Sequence, residues 1–251
     1  DFPFCLGWAN ESWKAKTWNS DAVKKDKILI EQKYLGEEDN EKHFYSLLNA
    51  FNDDRYIKYE GKPIFLIYKP EKFQQIKLFI KQWNTLAKLN GFNDGFQFIA
   101  HTASFKNYNI LKSQGFNSIT INPISRAMNA TTKHKLLDLV DSKIKRIIGI
   151  RKLKVIEYKR ALKFFINKNE DSRSDVIPTI IPNWDHSPRS GKFAWILHNS
   201  SPKLFAKHVE QALECLKDKP QSDKIIFLKS WNEWGEGNYM EPALIFGKEY
   251  L

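Results

Sequence analysis

The sequence predicts an α/β protein built on a parallel sheet of the (β/α)8 TIM-barrel type. Three observations carry that expectation. Six short apolar runs, FPFCLGW (2–8), PIFLIY (63–68), FQFIAH (96–101), NSITIN (117–122), VIPTII (176–181) and KIIFLKSW (224–231), are nearly continuous rather than alternating. Strands covered on both faces read that way. Amphipathic helical segments lie between several of them, which makes βαβ units. Polar-aromatic clusters follow directly after strands, where a barrel gathers its functional loops.

The helices are legible from their spacing. Phe44, Leu47, Leu48 and Phe51 form one apolar face between Asp39 and Asp53. Phe73, Ile76, Ile80, Trp83 and Ala87 do the same between Lys72 and Leu89, and Gly91 is placed to end that helix. Phe205, Val209, Ala212, Leu213 and Leu216 repeat the pattern, with Ser201 as N-cap and Pro202 in the first turn. A closed barrel needs eight strands and six are visible. The chain opens on Asp1 and enters an apolar strand at once, so the expectation is a single barrel domain over residues 1–251 that lacks its first two β/α units. There is no Gly-rich dinucleotide fingerprint and no phosphate-binding GxxxxGK[ST] loop.

Composition narrows the field. At 42% hydrophobic and 27% charged, the 251 residues match an ordinary globular protein. The net charge of +11 raises nucleic acid as a partner, but residues 131–173 hold 13 Lys/Arg against 5 Asp/Glu and so supply most of the excess. The basic stretch from Lys133 to Lys168 reads as helices with solvated basic faces; docking to a membrane surface or an anionic carrier is the sharper alternative. Nothing else supports nucleic acid, and none is expected. Cys5 and Cys215 stand alone, so neither a zinc site nor a disulfide framework is implied, and no cofactor is expected. No apolar run approaches the ~20 residues that span a bilayer.

Three segments carry candidate chemistry. Ser230-Trp231-Asn232-Glu233-Trp234-Gly235-Glu236-Gly237 follows the last strand. Two glutamates three positions apart, framed by tryptophans and glycines, suit acid/base work on a glycoside. The aromatics can desolvate one carboxyl and raise its pKa while the other stays ionised. Glu233 and Glu236 are therefore the catalytic candidates, with Asn232 and Trp234 as substrate-binding candidates. Gly7-Trp8-Ala9-Asn10-Glu11-Ser12-Trp13 offers Trp8, Asn10, Glu11 and Trp13, although both tryptophans could equally belong to the core. Pro182-Asn183-Trp184-Asp185-His186-Ser187-Pro188-Arg189 offers Trp184, Asp185 and Arg189; in its plainer reading Asp185 caps a turn and Arg189 pairs with a carboxylate. Tyr68 and His101, at strand ends, complete the list of cleft candidates.

Together WANESW, ILIEQKY, DDRYIKYEGKPIFLIYKP, PNWDHSPR and SWNEWGEGNYMEP resemble the WbsX family of glycosyltransferases, related to glycoside hydrolase family 99, the endo-α-mannosidases. The resemblance covers Asp1 to Leu251 and thins near 125–175. It implies a (β/α)8 barrel, a glycan substrate and neither metal nor cofactor. It implies that Glu233 is the base that deprotonates a sugar 2-hydroxyl, giving a 1,2-anhydro sugar, and that Glu236 is the acid that protonates the leaving oxygen and then activates the acceptor. Where the family commonly reads WDNTPR, this chain has His186 in place of Asn, which alters the hydroxyl pattern read there. It implies a role in bacterial O-antigen or capsule metabolism on mannoside- or rhamnoside-like sugars. The expected location is the bacterial cytoplasm or the inner face of its membrane. Hydrolysis and transfer both remain open, as does a glycan-binding barrel without turnover.

Overall fold

The computed structural model describes residues 2–15, 27–132, 153–191 and 194–251. Seven strand segments form its frame: β1 (Leu6–Trp8), β2 (Lys62–Ile67), β3 (Gln97–Thr102), β4 (Ser118–Ile121), β5 (Val176–Ile177), β6 (Thr179–Ile180) and β7 (Phe227–Leu228). Strands β1 to β5 pair in parallel in chain order. Pro178 interrupts the fifth run because it has no N–H to give a ladder. The chain then continues as β6, which pairs in parallel with β7. The break is bridged where Phe227 N–H donates to the Pro178 carbonyl at 3.0 Å.

Alternate residues of these strands serve two cores. Phe65, Ile67, Phe98, Ala100, Ile119, Ile121 and Val176 face outward onto α1 (Glu37–Phe51) and α2 (Ile76–Leu89). Trp83, fully buried at the centre of that layer, packs on Phe44, Phe65 and Phe79, and its ring N–H donates to the Asn40 carbonyl at 3.0 Å. Truncating such a residue costs about 3–5 kcal/mol. Ile64, Leu66, Ile99 and Ile177 face the other way, and Cys5 and Phe227, from opposite ends of the strand series, join their cluster. The sheet is therefore curved, with a concave inner side. Tyr59, just before β2, hydrogen-bonds the carboxylate of Asp223, just before β7. Among the described residues β7 and β1 are not hydrogen-bonded to each other, so the strands form an open curved series rather than a closed eight-stranded ring.

Further helices are α3 (Tyr108–Ser113), α4 (Pro123–Thr132), α5 (Tyr158–Phe165) and α6 (Pro202–Leu216). Gly91 has a left-handed φ of 92° just past α2, and Ser201 Oγ accepts from Leu204 N–H at the start of α6, as their positions in the sequence suggest. The basic stretch differs in part from its expected form. Residues 133–152 lie outside the described residues. Lys154–Glu157 is a strand, not a helix: it pairs in parallel with Trp195–His198, which in turn pairs with Trp184–Asp185. Lys154 Nζ sits 4.2 Å from the ring centroid of Trp195, its partner across the ladder. Helix α5 does have a buried face of Tyr158, Ala161, Leu162 and Phe165 opposite exposed Lys159, Arg160 and Lys163.

Candidate active site

The segments after β1, β2, β3, β6 and β7 meet at the C-terminal rim of the strands. The Trp231–Gly237 turn is built as a short hairpin, Asn232–Glu233 against Asn238–Tyr239, closed by a 3-10 turn over Trp234–Glu236. Gly237 takes the left-handed conformation (φ 52°), and a Cβ there would meet Asp185 Cβ at 2.9 Å and its backbone N at 3.1 Å. Only glycine combines that backbone with that approach. The close passage brings the Trp184–Arg189 loop against the glutamates.

Arg189 is the hub. Its Nη1 donates to Glu236 Oε1 at 2.6 Å and lies 3.7 Å from Glu233 Oε1. His186 Nε2 is 3.2 Å from the same Glu236 oxygen, and His186 Nδ1 shares a hydrogen bond of 2.8 Å with Ser190 Oγ. The Glu236 side chain is 14% exposed; that of Glu233 is 45% exposed. Burial pushes the Glu236 pKa up, but the hydrogen bonds from His186 and Arg189 and their charge outweigh it and bring it down to about 2. This corrects the expectation of a carboxyl raised by flanking aromatics. Trp231 and Trp234 are 47% and 48% exposed and do not enclose either glutamate. Trp234 instead stacks on Tyr239 at 3.7 Å, and its ring N–H donates to Glu241. Asn232 is exposed, its backbone paired with Tyr239.

A cleft of about 1300 Å³ opens beside Glu233 and Arg189, lined further by Glu11, Trp13, Tyr34 and Lys72. Glu11 accepts from Lys72 Nζ at 3.1 Å, and Trp13 is 67% exposed. Trp8 takes the alternative, core role: it packs on Tyr34, His43, Phe73 and Phe79. Asn10 borders the cleft but is fully buried. Its amide N–H groups donate to Tyr34 Oη and the Lys69 carbonyl (both 2.9 Å), and its Oδ1 accepts from Lys69 N–H at 2.7 Å. Each amide hydrogen is thereby committed, so Asn10 clamps two rim segments rather than reading a hydroxyl.

On the inner side of the rim Tyr68 and His101 stack at 4.6 Å, and His101 Nδ1 meets the Tyr68 carbonyl at 3.2 Å. Burial, reinforced by Lys229, lowers the His101 pKa to about 4. Trp184 stacks on His186 at 5.5 Å, and Asp185 caps the following turn by accepting from Ser187 N–H at 2.8 Å. The turn-capping role of Asp185 and the carboxylate pairing of Arg189 are thus the plainer of their two expected roles, and the carboxylates paired are the candidate catalytic ones. Sequence reasoning missed Lys229. The legible signal was its inward parity: Phe227 faces the inner cluster and Leu228 the opposite side, so a lysine two positions after Phe227 points inward. Among the described residues no group of three His, Cys, Asp or Glu could hold a metal ion, and no helix is long and apolar enough to cross a membrane.

The class that the fold defines is an α/β protein with a curved parallel sheet, and two carboxylates share a cationic partner at the C-terminal rim of its strands. The chain belongs to the family described as Glycosyltransferase WbsX, whose match runs over residues 1–251. It is 25% identical over 253 residues to the uncharacterized protein WxcX of Xanthomonas campestris pv. campestris strain ATCC 33913, and equally to that of strain B100. Each match takes in 99% of this chain and 34% of the relative, so the chain spans about a third of the length of these relatives. Among solved structures it is similar in fold to a glycoside hydrolase-like protein, with TM-score 0.56 and 16% identity over 85% of this chain and 60% of that one. The GH99 endo-α-mannosidase of Bacteroides thetaiotaomicron also matches, at TM-score 0.47 and 16% identity over 81% of this chain and 52% of that one.

Proposed function

We propose that this chain carries the acid/base centre of an enzyme that cleaves or transfers a glycosyl unit, with Glu233 and Glu236 as its working carboxylates. One observation carries the reading: both carboxylates converge on a single Arg189 nitrogen, at 3.7 and 2.6 Å. The two Oε1 atoms are then no farther apart than those distances added. We read the pair as serving a two-step path through an intermediate on the sugar, one carboxylate acting on the sugar and the other on the leaving oxygen. Water or a sugar hydroxyl can open such an intermediate, giving hydrolysis or transfer.

Glu233, half exposed and lining the cleft, is the base that meets the sugar hydroxyl. Glu236 rests as a carboxylate. A bound sugar that draws Arg189 to its own oxygens and excludes water raises the proton affinity of Glu236, which takes up a proton from solvent or through His186 and gives it to the leaving oxygen as the glycosidic bond breaks and the hydroxyl oxygen deprotonated by Glu233 bonds to the anomeric carbon. His186 adjoins it as the nearest proton carrier. The substrates fitting the family are mannoside- or rhamnoside-like units of bacterial surface polysaccharide, O-antigen or capsule. The work would be done in the cytoplasm or at the inner face of its membrane, with the basic 131–173 stretch toward an anionic carrier.

The test is product analysis by mass spectrometry on the complete protein, with and without an acceptor sugar. Chain extension identifies a transferase and released sugar alone a hydrolase. Glu233→Gln and Glu236→Gln should each lower turnover by about 10²–10⁴-fold while the fold is kept. Full activity in either variant sinks that assignment of the two carboxylates, and no turnover by the unmutated protein leaves a glycan-binding module as the reading.

A further inference from the structure

Lys229 follows β7 on its inward parity, at the centre of the rim. An ammonium has three N–H donors and no acceptor. Among the described residues none of the three meets a hydrogen-bond acceptor or a carboxylate within ion-pair distance. Lys229 Nζ faces two aromatic rings instead, 5.8 Å from the Tyr68 centroid and 5.2 Å from that of Trp184. Lys69 Nζ lies 4.6 Å from the same Tyr68 centroid, so two positive groups flank one ring.

The nearby negative charge is committed elsewhere. Glu236 Oε1 is held by Arg189 and His186, and Glu233 Oε1 lies beside Arg189. Burial lowers the Lys229 pKa; Glu236 opposes that through space, and Lys69 adds to it. Lys229 is half-buried, and an anionic acceptor brought by a ligand would add charge-assisted hydrogen bonds to its ammonium.

We propose that Lys229, with Lys69 beside it, forms a subsite for an anionic substituent on the glycan, a carboxylate or a phosphate, so that the substrate carries an acidic rather than a wholly neutral sugar. The inference rests on the glycan reading of the site and names the kind of sugar it takes. A uronate and a sugar phosphate present the same chemistry to an ammonium: a compact anion accepting charge-assisted hydrogen bonds. A neutral sugar offers only hydroxyls and brings no anionic group into direct contact with the ammonium.

The experiment is titration calorimetry on the complete protein carrying Glu233→Gln, so that binding is read without turnover. The probes are a neutral mannotriose, the same trisaccharide with a terminal uronate, and inorganic phosphate. The uronate should bind about ten-fold more tightly than the neutral sugar. Lys229→Met should remove that preference and Lys229→Arg keep most of it, with thermal melting confirming the fold of each. Phosphate binding that disappears in Lys229→Met, without a uronate preference, assigns the substituent as a phosphate. Where Lys229→Met does not fold, the salt dependence of the uronate preference in the parent decides: a preference that fades at high salt supports the subsite, and one indifferent to salt overturns it. Neutral and acidic sugars binding alike, with no phosphate binding, overturns the subsite and leaves the glycan reading standing. No sugar bound at all, together with no turnover by the unmutated protein, overturns both.

Discussion

The segments 8–13 and 231–236 have nearly the same residues, Trp, Asn, Glu and Trp, at the ends of two parallel strands, but the structure uses them in opposite ways. After β1, Trp8 and Asn10 are taken up by the frame, one in the aromatic core and the other in a buried clamp on Tyr34 and Lys69, while Trp13 is left exposed. After β7, the tryptophans are half exposed and Glu236 turns inward to meet Arg189 and His186. The difference lies in what each turn packs against. The first abuts the aromatic layer of α2, which offers apolar contact to a ring and backbone groups to an amide. The second abuts the Trp184–Arg189 loop, which offers two cationic or proton-bearing groups to a carboxylate. Composition alone does not distinguish a structural asparagine from a functional glutamate; the partner brought by the neighbouring loop does.

The largest expected effect sets the two glutamate environments against each other. Glu236→Gln should lower turnover by about 10²–10⁴-fold, whereas Glu11→Gln, whose carboxylate is 39% exposed and paired with Lys72, should change it far less. Steady-state kinetics on the complete protein checks both. Equal losses would mean that the β1 segment is as much part of the chemistry as the β7 segment.

The two asparagines reverse that ranking for stability. Asn10→Ala leaves Lys69 N–H, the Lys69 carbonyl and Tyr34 Oη without their buried partner, and should destabilise by about 3 kcal/mol. Asn232→Ala, on an exposed side chain, should stay within about 0.5 kcal/mol. Urea unfolding measures the pair. A mild Asn10→Ala would mean that the clamp is solvated and the residue is free for a ligand after all.

How much was legible follows from the same physics. Parallel strands and long helices announce themselves through runs and periods, and α6 begins and ends where its cap and apolar face put it. The rim candidates were legible as a set, because aromatic and polar residues clustered after strands. Their individual roles were not. Whether Trp8 is core or cleft depends on strand parity and on which helix covers it, and the low pKa of Glu236 depends on a loop some fifty positions away in the chain. Lys154–Glu157 was misread because two-sided apolar periodicity in so short a stretch cannot separate strand from helix; pairing with Trp195–His198 decides it.

The glycines of the β7 turn give a smaller contrast. Gly237→Ala forces a methyl to 2.9 Å from Asp185 Cβ on a left-handed backbone and should cost about 2 kcal/mol. Gly235→Ala meets only Glu233 Oε1 at an ordinary 3.6 Å and should be tolerated. Thermal melts of the two variants check this. A Gly237→Ala as stable as the parent would mean that the Trp184–Arg189 loop is not held against the glutamate turn.

The smallest effect is a pH dependence carried by Glu236 in the β7 segment. Glu236 has a folded-state pKa of about 2 against an ordinary value of 4.5. Its proton is therefore bound more tightly in the unfolded chain, and its ion pairs stabilise the fold fully above pH 4.5. That contribution fades as pH falls toward about 2, where the folded carboxyl also takes up its proton. Discounted for the solvent that reaches Arg189, it amounts to about 1–2 kcal/mol. Glu236→Gln should flatten this part of the acid unfolding curve, and His186→Asn should flatten it partly, because Arg189 at 2.6 Å remains while the 3.2 Å contact is replaced by a neutral amide. If the Glu236→Gln curve keeps the parent's slope between pH 4.5 and 2, the carboxylate is not held by its partners in solution, and the contrast between the two turns loses its electrostatic half.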